Sequence, residues 1–490
     1  MHEGTPNATL ARDAIGLREV LFQSITHMAP AAAVAFSIPV GAGFAGGSLP
    51  LSVVVALVGC LLAALCIGQL ARHLPSAGSF YTYTARGIHP SAGFLVAWGY
   101  AFVEPFVAPL LYLILGVTVA GTLNAELGWS LDLWWPWALL GAGAVFFLGY
   151  RGIQVSARTG TVLGIFEVAV FALLALWLII RAGSANTLAA FTTAYTSPDF
   201  QGLAGVYAGS IYAILAFIGF EAAAPLAEEA ADPRRTINQA VVYSALGIGA
   251  FYVLTTYAAS VFFGPERMTE FQSAGGGNPW DAMSREVWGI GWILVFLAIV
   301  NSAIANSNAG ANAATRTWYA MGRVRLLPTL LARVHPVYRS PHVAVVGQLV
   351  LGVVLPLWLG FQYDPITAFS LLATVAVIVV VLIYIAVNLA CLLYYLRHRR
   401  NEFNPALHAL VPVVGIAAFV PAWLTAAGIP AFAFISELPP PLSYSGSIVA
   451  IWMLIGVAYL AYLYARDPQR IRDTGRIFVE EELPEEQATI

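Results

Sequence analysis

From Ser370 to Leu396 the chain runs for 27 residues without a charged side chain. A helix needs roughly 20 apolar residues to cross about 30 Å of hydrocarbon, and in lipid every backbone N–H and C=O must be satisfied within the structure. A run of this length therefore admits a membrane helix and little else. Leu163 to Ile180 is a second example. Composition extends the conclusion to the whole chain: 59% of its 490 residues are hydrophobic and 10% are charged, against about 25% charged in a soluble protein. The fold class is all-α and polytopic. The first apolar stretch follows mostly polar residues and lacks a cleavage-site pattern, so it reads as a retained helix and not as a secretory signal.

Hydropathy and breaker residues predict about 12 transmembrane helices, over 18–45, 48–72, 92–121, 135–149, 158–181, 202–228, 238–263, 286–320, 342–360, 366–396, 409–428 and 446–465. An even number puts both termini on one side. Lys is absent, so the side is set by Arg: of 23 basic residues, only Arg181, Arg267 and Arg285 fall opposite the termini. The remaining twenty, from Arg12 to Arg476, fall on the terminal side. The positive-inside rule then predicts a multi-pass protein of the inner (plasma) membrane with cytoplasmic termini.

Cys60, Cys66 and Cys391 lie inside apolar segments, which supports neither a disulfide framework nor a thiolate metal site. A net charge of −3 points to no nucleic-acid partner. The tails, 1–17 and 466–490, are short, and Glu480 to Glu486 reads as a solvated acidic end. The segment from Phe263 to Trp288, with Gly275, Gly276, Gly277 and Pro279, is the longest external loop and is expected to cap the outer mouth.

Two spans are interrupted. The first contains Met28, Ala29, Pro30, Ala31, Ala32 and Ala33, then Pro39, Gly41 and Gly43; the sixth contains Phe217, Ile218, Gly219, Phe220 and Glu221, then Pro225. Pro removes a backbone donor and Gly loosens a helix. A single such residue in a membrane helix is usually only a kink. Spans one and six are five helices apart, however, so a second five-helix copy would enter the membrane from the other side, as in transporters with inverted repeats.

The segment FIGFEAAAPLAEEAADPRRTINQAV, Phe217 to Val241, resembles the signature of the amino acid-polyamine-organocation permeases. The connection RHLPSAGSFYTYTARG, Arg72 to Gly87, resembles that family's Pro-, Gly- and Tyr-rich loop. The resemblance covers most of the chain through its topology. It implies a LeuT-type fold: inverted five-helix repeats over 18–181 and 202–396, and two additional helices over 409–465. It also implies a substrate site in which a carboxylate meets backbone donors of unwound helix one and an ammonium meets carbonyls of helices one and six. Carried over, that site is built around Ala29, Pro30, Ala31, Ala32 and Ala33 with Phe217, Ile218 and Gly219. Many relatives have a Gly-rich trio in helix one where this chain has Pro30 and alanines. Some carry a gating Trp where this chain has Leu215, leaving Tyr212, Phe217 or Phe220 as replacements.

Carboxylates within spans are costly and mark pathways or coupling sites by default. Glu104, in YAFVEPFVAP, where Pro105 and Pro109 should kink the helix, either recognises a second amine on a cationic substrate or satisfies groups around the kink. Glu167, where several proton-coupled relatives carry a Lys, is either a proton carrier or a structural partner of helix eight or one. Glu221 is expected to hold the broken backbone of helix six and to act in gating. Glu228, Glu229, Asp232, Arg234 and Arg235 form either an inner gate or a solvated turn. Asn301, Asn308 and Asn312 recur on one face of span eight; such stripes serve as interhelical glue or line an ion site.

The chain has no H-E-x-x-H, G-x-S-x-G or G-x-x-x-x-G-K-[ST] motif, so neither catalysis nor ATP-driven pumping is expected. No cofactor or metal is expected. The resemblance implies a secondary active transporter of amino acids or related amines, working by alternating access as a symporter or exchanger. Its partners are the solute, the lipid bilayer and protons, with sodium a weaker candidate. A nutrient sensor on the same scaffold is the alternative, against which the short tails argue.

Overall fold

The computed structural model describes residues 16–74, 79–152, 157–228, 230, 232–323, 325–467 and 471. The acidic run from Glu480 to Glu486, Arg12, Glu229, Pro75 to Gly78 and the side chain of Glu228 lie outside that description. Twelve membrane-scale helical segments follow one another: α1 (Leu17–Val40), α2 (Leu49–Ala71), α3 (Pro90–Leu127), α4 (Trp134–Arg151), α5 (Ala157–Ala182), α6 (Leu203–Ala224), α7 (Pro233–Phe263), α8 (Trp292–Arg323), α9 (His342–Gln362), α10 (Pro365–His398), α11 (Val411–Ala427) and α12 (Ser445–Arg466). No strand occurs among the described residues.

Eleven helical segments among the described residues are long and apolar enough to cross a membrane. α4 is the twelfth; it is 18 residues long. Its ends carry Trp134, Trp135, Trp137, Tyr150 and Arg151, residues that favour the water interface over hydrocarbon. The span expected over 286–320 begins later. Pro279–Trp288 is a separate amphipathic helix, and the chain turns at Gly289 (φ 54) before α8 starts at Trp292.

The outer surface shows why the fold needs lipid. On α9, Val346, Val350, Val354, Trp358 and Phe361 are exposed at three- and four-residue spacing, and α12 exposes Ile451, Leu454, Ile455 and Val457. Such stripes on a soluble surface would drive association, whereas in hydrocarbon they carry no penalty. Several hydroxyls inside are satisfied locally: those of Ser307, Thr315, Ser370 and Thr374 each donate to the carbonyl four residues back.

α10 runs through the middle of the bundle, buried from Ala368 to Val381 save for its partners' grooves, and packs against α2, α3, α11 and α12. α1 lies among α5, α6, α7 and α8, while α3 packs on α4, α8 and α9. The end of α1 meets α6 through glycine: a Cβ on Gly41, just after α1, would lie 2.8 Å from the Gly209 carbonyl. The segment after α7 is anchored to α3. Arg285 donates to Asp281 at 2.8 Å and to Glu126 at the end of α3, and its guanidinium lies 3.7 Å over Trp292.

Candidate functional site

Both interrupted spans break in mid-bundle. In α1, regular helix ends at His27, Met28 caps it, and Ala29 adopts a left-handed conformation (φ 46, ψ 64). A non-glycine residue there costs roughly 1–2 kcal/mol. Helix resumes at Pro30, whose missing N–H is no loss at a first helical position, and passes through a wider turn over Ala33–Ser37. In α6, regular helix ends at Phe217; Ile218 is non-helical (φ −56, ψ 124) and Gly219 has φ 119 before tight turns begin at Phe220.

The breaks meet at one point. A Cβ on Gly219 would lie 2.7 Å from His27 Cδ2 and 2.9 Å from the His27 carbonyl oxygen, so only glycine permits this approach. The orphaned backbone groups are taken up by side chains from elsewhere. The Tyr252 hydroxyl on α7 lies 3.0 Å from the Met28 carbonyl and 2.9 Å from that of Ala216, one hydrogen shared between the two breaks. Ser24 donates to the Phe220 carbonyl at 2.9 Å and accepts from the Ala223 N–H at 3.0 Å. Glu221 Oε2 accepts from the Gly219 N–H at 3.1 Å and from the Tyr384 hydroxyl at 3.2 Å.

Beside the breaks lies a cavity. Met28, Ala29 and Ala33 of α1 and Leu215, Ala216 and Ile218 of α6 form one side; Glu104 of α3, Asn306 of α8 and Phe369 of α10 form the other. Glu104 is 3% exposed, its Oε1 has no hydrogen-bond partner among the described residues, and it faces His27 Nε2 at 4.0 Å. Tyr100, one helical turn earlier on α3, is a polar neighbour of this carboxyl. Asn306 Oδ1 also lacks a partner among the described residues. The helical segments that stop at the breaks, Leu17–His27 and Leu203–Phe217, both end here, and C-terminal carbonyls favour a cation. A mostly apolar wall with a few convergent polar groups is the usual form of a small-molecule site.

Ala29, Ala33, Glu104, Leu215 and Ile218 thus come together on the cavity wall. Pro30, Ala31 and Ala32 do not line it, and neither do Phe217 and Gly219. Phe217 packs edge-on against Tyr252 at 5.3 Å, Tyr212 stacks on Phe44 at 5.8 Å, and Phe220 lies 5.4 Å from Tyr384. The aromatic ring in the cavity is Phe369, which packs against Phe36 at 5.2 Å.

Glu167 is buried away from this cavity and stands among three helices: it accepts from Asn301 Nδ2 of α8, and the Ala31 N–H at the restart of α1 lies beside it. That N–H belongs to the first turn of a helix, where a carboxylate is favoured. Asn312 donates to Asn308 at 3.4 Å and lines a second, smaller cavity with Tyr112, Thr315 and Gln348. The asparagine that reaches the main cavity is Asn306, which the stripe did not single out. His27 was detectable, because an ionisable ring at membrane depth carries the same signal as a carboxylate. Ala216, Phe369 and Tyr252 had no local signal.

A family model described as amino acid permease matches residues 15–459. The low-affinity putrescine importer PlaP of Escherichia coli is 25% identical over 94% of this chain and 96% of its own length. The branched-chain amino acid permease BcaP of Bacillus subtilis is 26% identical over 62% of this chain and 66% of its own, and an uncharacterised transporter of Mycobacterium tuberculosis is 27% identical over 76% and 80%. With its interrupted membrane helices and a match that runs nearly end to end, the chain belongs to the amino acid permease family, whose members are transporters and not enzymes.

Proposed function

We propose that this permease binds an amino acid or related amine in the cavity between the two helix breaks and carries it by alternating access, as a proton-linked symporter or an exchanger. The observation that carries the reading is the convergence of the two helix ends on a buried carboxylate, Glu104, with an unpartnered oxygen. A cation there gains both the carbonyl ends and the carboxylate. The nearest helix N-terminus supplies little to a substrate carboxylate, since the Glu167 carboxyl already stands beside it. This favours a cationic amine over a zwitterion with a neutral side chain, in line with the putrescine importer among the relatives.

The same reading places coupling at Glu167, where proton binding would release Asn301 and the restart of α1. Paired breaks in α1 and α6 support inverted five-helix repeats over 18–181 and 202–396, with 409–465 appended. The bias of Arg toward one set of loops supports cytoplasmic termini. The test is uptake into proteoliposomes of diamines, cationic amino acids and neutral amino acids, with proton and sodium gradients imposed separately. Accumulation of a cationic amine under a proton gradient is expected. Absence of uptake, exchange or binding for every amine would overturn the proposal.

A further inference from the structure

α3 contains two prolines four residues apart, Pro105 and Pro109. Each lacks an N–H, so the carbonyls one helical turn earlier, those of Ala101 and Pro105, lose their ordinary donors. In water such groups are solvated; inside a membrane bundle each unmet carbonyl is costly. The helix tightens here into a short 3-10 segment, Glu104–Phe106, and this segment aims Glu104 into the cavity.

Both carbonyls are met from outside the helix. Trp318 Nε1 on α8 donates to the Ala101 carbonyl at 3.0 Å, and Gln348 Nε2 on α9 donates to the Pro105 carbonyl at 2.9 Å. The two side chains come from adjacent surfaces: a Cβ on Gly347 would sit 3.5 Å from the Trp318 ring. Gln348 is 4% exposed and its Oε1 has no partner among the described residues. A buried amide that gives its donor to this carbonyl while its acceptor stays unmet is held there for the donor.

The geometry points to Trp318 and Gln348 as positioning residues that fix Glu104 in the cavity by replacing the two backbone donors that Pro105 and Pro109 remove. Neither touches the main cavity. They act through the kink, and so through the direction of one carboxylate. The inference rests on the reading of the cavity as the substrate site, and its test separates the two.

Gln348→Met keeps the side chain's bulk and removes the donor. The expected result is a KM for a cationic amine raised by about tenfold with little change in kcat, since a carboxylate no longer held in one direction must be ordered on binding, and a smaller KM change for a neutral amino acid. Pro109→Ala restores a backbone N–H aimed at the Pro105 carbonyl, which makes the Gln348 amide redundant. In the Pro109→Ala background, Gln348→Met should therefore cost less than twofold. Pro105→Ala with Trp318→Phe forms the same cycle at Ala101. The cycle is also read by thermal unfolding of the full chain in detergent, which requires no transport. Additive losses in that readout overturn the inference whether or not any amine is carried, and so does equal loss of cationic and neutral substrates. Rescue by the alanine backgrounds in a chain that carries no amine would uphold the kink assignment while sinking the substrate reading.

Discussion

Tyr252→Phe isolates the one hydroxyl that ties the two breaks together. In the native chain that hydroxyl lies 3.0 Å from the Met28 carbonyl and 2.9 Å from that of Ala216, at a fully buried position. Leaving a buried acceptor unmet costs about 1–3 kcal/mol. Two carbonyls are affected, but they share a single hydrogen, so the expected loss is about 2 kcal/mol and not the sum. At 1.4 kcal/mol per decade this is roughly a 30-fold change in the population of the joined breaks. The ring is retained, so its edge contact with Phe217 at 5.3 Å survives. Tyr252→Leu loses both and serves as the contrast. The assay is denaturant unfolding of the purified chain in detergent with and without a cationic amine. Tyr252→Phe should fall about 2 kcal/mol below the native chain without ligand, and the amine should stabilise it more than it stabilises the native chain, because the ammonium then meets free carbonyls. If Tyr252→Phe matched the native chain within about 0.5 kcal/mol while Tyr252→Leu fell, the ring and not the hydroxyl would hold the breaks, and the reasoning would fail.

Glu167→Gln keeps the side chain's shape and one acceptor oxygen for Asn301 and removes the titratable group; it should abolish proton-driven accumulation and spare exchange, and unchanged accumulation would assign Glu167 to structure alone. Gly219→Ala places a methyl within 2.9 Å of His27 backbone at φ 119, so amine binding measured by calorimetry should weaken by more than about tenfold, since residues cannot relax from such a conformation cheaply. His73, beyond the end of α2, has its pKa lowered from 6.5 by burial, against the opposing pull of Glu402 at 3.0 Å. The folded chain therefore binds fewer protons than the unfolded chain at that site, and its stabilising contribution is full above 6.5 and declines as pH falls below it. Stability curves between about pH 8 and pH 5 should show a smaller acid loss for His73→Gln than for the native chain; equal losses would count against the buried, neutral ring.

Much of this architecture was legible because membrane insertion is a one-dimensional problem. A run such as Ser370 to Leu396 declares its helix by length and polarity alone. The two breaks were legible too, through Pro30 and Gly219, because both act on their own backbone. The register of the first break was less so. The resemblance implied a site around Ala29 to Ala33 on unwound helix one, whereas the left-handed residue is Ala29 and helix resumes at Pro30, since proline suits the first turn of a new helix as well as it suits a kink.

What the tertiary structure decided is which groups face one another. Asn301 and Asn306 lie five residues apart on α8, yet one meets Glu167 and the other opens onto the cavity, because the face a helix turns to each neighbour depends on how the bundle packs. Phe369 enters the cavity from a distant part of the chain for the same reason. The prolines of α3 announced missing donors in the sequence, but the identity of the replacements, Trp318 and Gln348, depended on α8 and α9 crossing beside them. Hydrophobic length and backbone chemistry are local properties written residue by residue, whereas partnership across a bundle arises only once the helices are packed.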